Sequence, residues 1–273
     1  MVTKKKTPKK TAKKEPIKKS DNAINDIDVV FILDATGSMG PYIEEAKRMI
    51  TDITNKIIRE NPDLDIRVAL VLYRDHPPQE YSFVTQVNDF VNPAEFDALI
   101  RPVFASGGGD HPEAVWDGVD AAFGLSWREG ADRAAYLIGD APPHKQCLCG
   151  ITPEALIESL WEMSIEVNAH SIANHPATTE AFKLLTDATG GNLTTGNQPK
   201  HTTELYESSL TYKSSMIKSS GALRHVAMSE SAGITYTTAA ALSDSDISKL
   251  ADAAGMTLDS AKETINYLKK RGL

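Results

Sequence analysis

The sequence predicts an α/β fold: a doubly wound, mostly parallel sheet with helices on both faces, followed by a small C-terminal helical module. Three observations carry this expectation. Short β-branched runs alternate with amphipathic stretches along residues 27–219, the pattern of strand–helix–strand units. The first run, IDVVFILD over residues 27–34, is nearly all apolar, as a strand covered on both faces should be. The chain has 273 residues, 41% of them apolar and 24% charged, enough to bury one sizeable core.

The elements follow in order. Residues 37–60 read as a helix, because Ile43, Ala46, Ile50, Ile53 and Ile57 recur at helical spacing. Residues 65–73 form a second strand and 81–87 a short third strand suited to an edge. Pro93 sits at the first position of a helix striped by Phe96, Leu99 and Ile100. After the run Gly107-Gly108-Gly109, Pro112 is expected to open a helix carrying Ala114, Val115, Val119 and Ala122. Strands at 133–140 and 165–172 alternate with helices at 153–163 and 178–188, the latter stopped by Gly190-Gly191. A short strand at 192–195 and a helix at 201–219 complete the body. The expected organisation is a Lys-rich tail (1–22) without structure of its own, an α/β domain (23–220), a linker (221–242) and a helical hairpin (243–273). In the hairpin, Ser245 should cap a helix over 246–254. Gly255 makes the turn, and 258–270 form a second helix with Ala261, Ile265 and Leu268 on its apolar stripe.

In an open α/β sheet, ligands bind beyond the carboxyl ends of the strands. Asp34, Thr36 and Ser38 follow the first strand, and Asp140 ends the strand at 133–140. Between them lies the glycine loop with Ser106 and Asp110. All three loops are expected on one edge of the sheet. Carboxylates and hydroxyls are hard oxygen donors that suit Mg²⁺, Mn²⁺ or Ca²⁺ better than zinc. Two hydroxyls among the donors leave such an ion electrophilic, whereas an all-carboxylate cage would neutralise it.

Asp34-Ala35-Thr36-Gly37-Ser38 resembles the DxSxS motif of von Willebrand factor A (VWA) domains, with Thr36 keeping the hydroxyl of the first serine. Residues 106–115 (SGGGDHPEAV) and 136–144 (YLIGDAPPH) resemble the second and third metal loops of a VWA subgroup, and Tyr73-Arg74-Asp75-His76 fits it too. The resemblance covers roughly residues 26–220. It implies a Rossmann-like sheet and a metal-ion-dependent adhesion site (MIDAS), with Asp34, Thr36, Ser38 and Asp140 as direct or water-mediated ligands. Many members carry Thr in the glycine loop; here Gly109 stands there and Asp110 beside it is the expected donor, directly or through water.

Other motifs offer competing readings. Thr36-Gly37-Ser38-Met39-Gly40 nearly matches a nucleophile elbow, and with Asp140 and His170 it gives a hydrolase reading with Ser38 as nucleophile. Thr36 in place of the first glycine argues against it. His144, Cys147 and Cys149 suggest a zinc or redox cluster, but the C-x-C spacing is short for zinc, and a pair of loop thiols is the simpler expectation. Arg74, Asp75 and His76 could orient metal ligands or form an ordinary ion pair. No Walker A, G-x-G-x-x-G or H-E-x-x-H motif occurs.

The net charge of −8 conceals an asymmetry: residues 1–19 hold nine lysines and one glutamate, while the rest carries 20 basic against 36 acidic side chains. No apolar stretch suits a signal peptide or a membrane span, and two cysteines argue against a disulfide scaffold, so a cytoplasmic protein is expected. The leading expectation is a non-enzymatic module whose Mg²⁺ (or Mn²⁺ or Ca²⁺) captures an exposed acidic residue of a protein partner. The alternative is a nucleic-acid-associated regulator using the Lys-rich tail or residues 243–273, although Asp259 and Glu263 on the second helix of the hairpin oppose phosphate contact.

Overall fold

The computed structural model describes residues 26–60, 64–145, 149–197 and 242–270. The expected tail (1–22), the helix at 201–219, the linker up to residue 241 and Cys147 lie outside the described residues. Strands β1 (Asp26–Asp34), β2 (Asp65–Tyr73), β3 (Thr85–Val91), β4 (Asp132–Gly139), β5 (Ile165–Ser171) and β6 (Leu193–Thr195) form one sheet, in the order β3-β2-β1-β4-β5-β6. All neighbours pair in parallel except β3, which runs antiparallel to β2 on the edge. Among the described residues seven helices accompany it: α1 (Ile43–Glu60), α2 (Pro93–Ile100), α3 (Val115–Phe123), α4 (Pro153–Glu162), α5 (Pro176–Thr189), α6 (Asp244–Ala254) and α7 (Leu258–Lys270).

Alternation along β1 sorts the core into two layers. Val29, Phe31 and Leu33 face α1 and α2, meeting Met49, Ile50, Ile53, Phe96 and Ile100. Val30 and Ile32 face the other way, among Val115, Val119, Leu156, Phe182 and Leu185 of α3, α4 and α5. All nine residues of β1 are buried, which explains its continuous apolar run. Near its amino end two charges are buried: Asp26 pairs with Arg128 (3.4 Å), and Asp28 is held by a bidentate pair from Arg67 (3.0 and 2.7 Å) and by the Arg128 side chain and backbone. Such fork-on-carboxylate geometry offsets the desolvation of both partners.

Four expectations shift. The first helix divides into a 3-10 turn at Gly37–Met39 and α1 from Ile43, because Pro41 has no N–H for a continuous ladder. The edge strand lies at Thr85–Val91 rather than 81–87. The helix after the glycine loop starts at Val115, not Pro112, because Glu113 forms an isolated parallel bridge to Pro143 and its N–H donates to the Pro142 carbonyl (2.9 Å). The cap of α6 is Ser243, not Ser245. The Ser243 hydroxyl accepts from the Asp246 N–H, and the Asp246 carboxylate accepts from the Ser243 N–H, a reciprocal capping box.

The α6–α7 hairpin has a small core of its own, built on Ile247, Leu250, Ala261, Ile265 and Leu268. Tyr267 packs against the β1 layer, and its hydroxyl donates to Asp132 at the start of β4 (2.5 Å). The hairpin therefore sits at the amino end of the strands, opposite the loops described next.

Candidate metal centre

Register brings the carboxyl ends of four strands together: Asp34 pairs with Tyr73, Leu33 with Ile138, and Gly139 with Ser171. The loops leaving these ends are stitched by backbone hydrogen bonds. Ala35 N–H donates to Tyr73, Ser106 N–H to Ala35 and Gly37 N–H to Gly107 (2.9–3.0 Å). The close approach needs glycine: a Cβ on Gly37 would lie 3.0 Å from the Gly107 carbonyl oxygen, and Gly107 and Gly108 both have φ of +74°.

Inside this frame the expected residues form one chain of contacts. Thr36 donates to Asp34 Oδ1 through its N–H (2.9 Å) and its hydroxyl (2.6 Å). The Thr36 and Ser38 hydroxyls lie 3.0 Å apart, and Ser38 donates to Asp140 Oδ1 (2.9 Å). Asp34, Thr36, Ser38 and Asp140 thus converge from two loops. Asp110 stays exposed at the rim, where Gln79 Nε2 donates to it at 3.4 Å. The third loop instead turns Glu113 inward: Glu113 is 2% exposed, and its Oε1 and the Thr36 side chain both abut Gly108. Sequence reasoning did not single out Glu113. The available signal was a carboxylate sitting directly before the apolar stretch Ala114-Val115-Trp116.

The electrostatics of this pocket are unusual. Asp34, Asp75, Glu113 and Asp140 are all buried. Asp34 Oδ2, Asp75 Oδ2 and Glu113 Oε2 are buried without a hydrogen-bond partner. Burial, reinforced by Asp140, pushes the Asp34 carboxyl up to about 7 against the pull of its bonds to Thr36. Burial, then Asp34, Asp75, Asp140 and Asp110, pushes Glu113 up to about 9. Burial and Asp34 also raise the Tyr73 hydroxyl, which sits where a side chain on Gly139 would go. The nearest strand-end cation, Arg74, is committed elsewhere. It donates to the Ala35 carbonyl (3.1 Å) and to Ser82 (2.7 Å), and it stacks on Phe83 at 4.4 Å. Buried carboxylate oxygens without partners are costly in an apo pocket and become favourable around a cation. The donor set, hard oxygens only, fits a divalent cation of the Mg²⁺, Mn²⁺ or Ca²⁺ type.

Beyond the pocket, Asp75 meets His144 (Oδ1 to Nε2, 2.5 Å) and His76 meets Asp117 (Nε2 to Oδ2, 3.1 Å). Cys149 is disulfide-bonded, which replaces the expected loop thiols. The Ser38 hydroxyl is engaged with Thr36 and Asp140, with no imidazole among its partners in the described residues. His170 bonds Thr194 through Nδ1 (2.8 Å), and burial lowers its pKa to about 4. The triad contacts that the Ser38 nucleophile reading needs are thus not formed.

Residues 28–198 match the von Willebrand factor A domain family. The chain belongs to that family. VWA domains are commonly protein-interaction modules. Among curated relatives, the alpha-protein kinase vwkA of Dictyostelium discoideum is 33% identical over 118 residues, which are 43% of this chain and 19% of the kinase. The putative ariadne-like RING finger protein R811 of Acanthamoeba polyphaga mimivirus is 30% identical over 122 residues, 43% of this chain and 11% of that protein. The chain thus spans at most about a fifth of either relative. Among solved structures, the conserved hypothetical protein BatB from Bacteroides thetaiotaomicron superposes with a TM-score of 0.52 at 14% identity, covering 68% of this chain and 99% of that one. A von Willebrand factor type A protein from Catenulispora acidiphila does so at 0.50 and 14%, covering 70% and 43%. At these identities the structures share the VWA fold with this chain. No helix among the described residues is long and apolar enough to cross a membrane.

Proposed function

We propose that this chain is a metal-dependent protein-binding module rather than an enzyme. Asp34, Thr36, Ser38 and Asp140 hold a divalent cation, directly or through water. Glu113 faces it from the third loop, and Asp110 at the rim acts only through water. When bound, the ion supplies a Lewis-acidic position that an acidic side chain of a partner can complete. The observation that carries this reading is the set of buried, partnerless carboxylate oxygens at the junction of three loops.

The chain's own residues divide the work. The Thr36 and Ser38 hydroxyls supply neutral donors, so the bound charge is not wholly cancelled and an incoming carboxylate is still attracted. The backbone links from Gly37 and Ser106 hold the loops in place before a partner arrives, which lowers the ordering cost of capture. The surroundings supply apolar contact. Tyr81 and Phe104 are 78% and 65% exposed. On the other side, an open groove of about 880 Å³ is lined by His111, Pro112, Trp116, Pro142, Pro143 and Leu184.

The test is an array of peptides, each holding one Asp or Glu amid apolar neighbours, probed with the full chain in Mg²⁺ and again in EDTA. Retention in Mg²⁺, lost in EDTA and in Ser38→Ala, is the expected outcome. Equal retention with and without EDTA would show that capture does not run through the metal.

A further inference from the structure

One cluster next to the metal centre has no part in that reading. His76 follows β2, Asp117 lies in the first turn of α3 and Cys149 lies in the loop between β4 and α4, so three separate segments meet here. His76 Nε2 and Asp117 Oδ2 are 3.1 Å apart, and one ligand-capable atom from each of the three residues lies within 4.8 Å of the others. His76 is buried, Asp117 is partly buried and Cys149 is exposed, so the sulfur side opens to solvent.

The donor chemistry differs from that of the neighbouring pocket. A nitrogen, an oxygen and a sulfur suit zinc, whereas the Asp34 pocket offers oxygens only. Zinc bonds of roughly 2.0–2.3 Å set tetrahedral ligand atoms about 3.3–3.8 Å apart, close to the spacing of His76 and Asp117. Three protein ligands leave the fourth position to water. The sulfur, however, is tied up: Cys149 is disulfide-bonded, and the only other cysteine in the sequence is Cys147. A disulfide sulfur lacks the thiolate charge that zinc requires.

We propose that His76, Asp117 and Cys149 form a redox-gated zinc site, blocked while the Cys149 disulfide stands and opened by a dithiol reductant. The disulfide takes two electrons and two protons from the dithiol, which leaves as its own disulfide. The Cys149 thiol then gives its proton to solvent as Zn²⁺ binds the thiolate. The bound ion ties the β4–α4 loop to the end of β2 and to α3, so the redox state of one sulfur sets how firmly the rim of the interaction face is held.

The test titrates the full chain with Zn²⁺ alone, oxidised and then reduced with a dithiol that is removed under inert gas. A parallel titration with Co²⁺ reads the thiolate-to-metal charge-transfer band. The expected result is one equivalent of Zn²⁺ and a cobalt–thiolate band in the reduced chain only. Both are lost in Cys149→Ser and in His76→Ala and kept in Asp34→Ala, which disables the neighbouring pocket. Cys147→Ser, which leaves Cys149 no intrachain partner, should bind without reductant. Equal Zn²⁺ binding before and after reduction, or binding untouched by Cys149→Ser, would overturn the proposal. Loss of the site in Asp34→Ala would show that the ion sits among the oxygens instead.

Discussion

Asp34 shows how a single residue can work against the fold that carries it. Its Oδ1 accepts two hydrogen bonds from Thr36, while the buried Oδ2 makes no hydrogen bond of ordinary geometry and has the Tyr73 hydroxyl and Asp140 as neighbours. Its acid form persists to about pH 7. At pH 8 without metal, the folded chain therefore carries an ionised group that the unfolded chain would solvate freely. Asp34→Asn keeps the Oδ1 acceptor and removes the charge. In EDTA at pH 8 it should raise the stability of the domain by on the order of 1–3 kcal/mol, and it should abolish any stabilisation by Mg²⁺. Paired thermal melts in EDTA and in Mg²⁺ check both halves. His170 acts in the opposite sense. It stays neutral in the folded chain down to about pH 4, while in the unfolded chain it takes a proton near pH 6.5. Between those values the unfolded state binds more protons, so stability falls as pH drops from 6.5 to 4, by roughly 3 kcal/mol, and the His170 contribution levels off below that. Denaturation midpoints across this window should flatten in His170→Gln, a neutral side chain at the same position.

At the scale of elements, hydrophobic pattern was readable and chain direction at loop exits was not. Every strand and helix expected among the described residues is present, and α7 has the expected limits, because β-branched runs and helical stripes reflect burial that the sheet imposes on both faces. Where the reading slipped, a local competitor won. Pro112 is a good helix opener, yet the Glu113 bridge to Pro143 holds the chain extended for two more residues. Ser245 is a good cap, yet Ser243 has Asp246 three residues on to close a capping box. The same effect hid part of the site. Asp34, Thr36, Ser38 and Asp140 sit in recognisable loops at strand ends, whereas Glu113 is turned inward by a cross-loop bridge that no spacing reveals. His76, Asp117 and Cys149 are assembled only by the fold. The capping box supplies a check on this level: Ser243→Ala should cost α6 about 1 kcal/mol, seen as faster hydrogen exchange in the first turn of α6 with the β1 amides unchanged.

Across the whole molecule the two ends of the sheet do different things. The amino ends of the strands are closed by compensated polar contacts: Asp28 with Arg67 and Arg128, and Asp132 with Tyr267 of the C-terminal hairpin. The carboxyl ends gather four buried carboxylates, with Arg74 turned away from them. A VWA sheet covered by helices on both faces is rigid enough to hold that charge in place. The account stands on whether the charge is there for a cation. A calorimetric titration of the full chain with Mg²⁺, on wild type and on Asp34→Ala, asks this directly. The account predicts saturable binding to wild type that disappears in Asp34→Ala while the far-UV spectrum is unchanged. Wild type that binds no Mg²⁺, Mn²⁺ or Ca²⁺, or an Asp34→Ala variant that binds as wild type does, would contradict it.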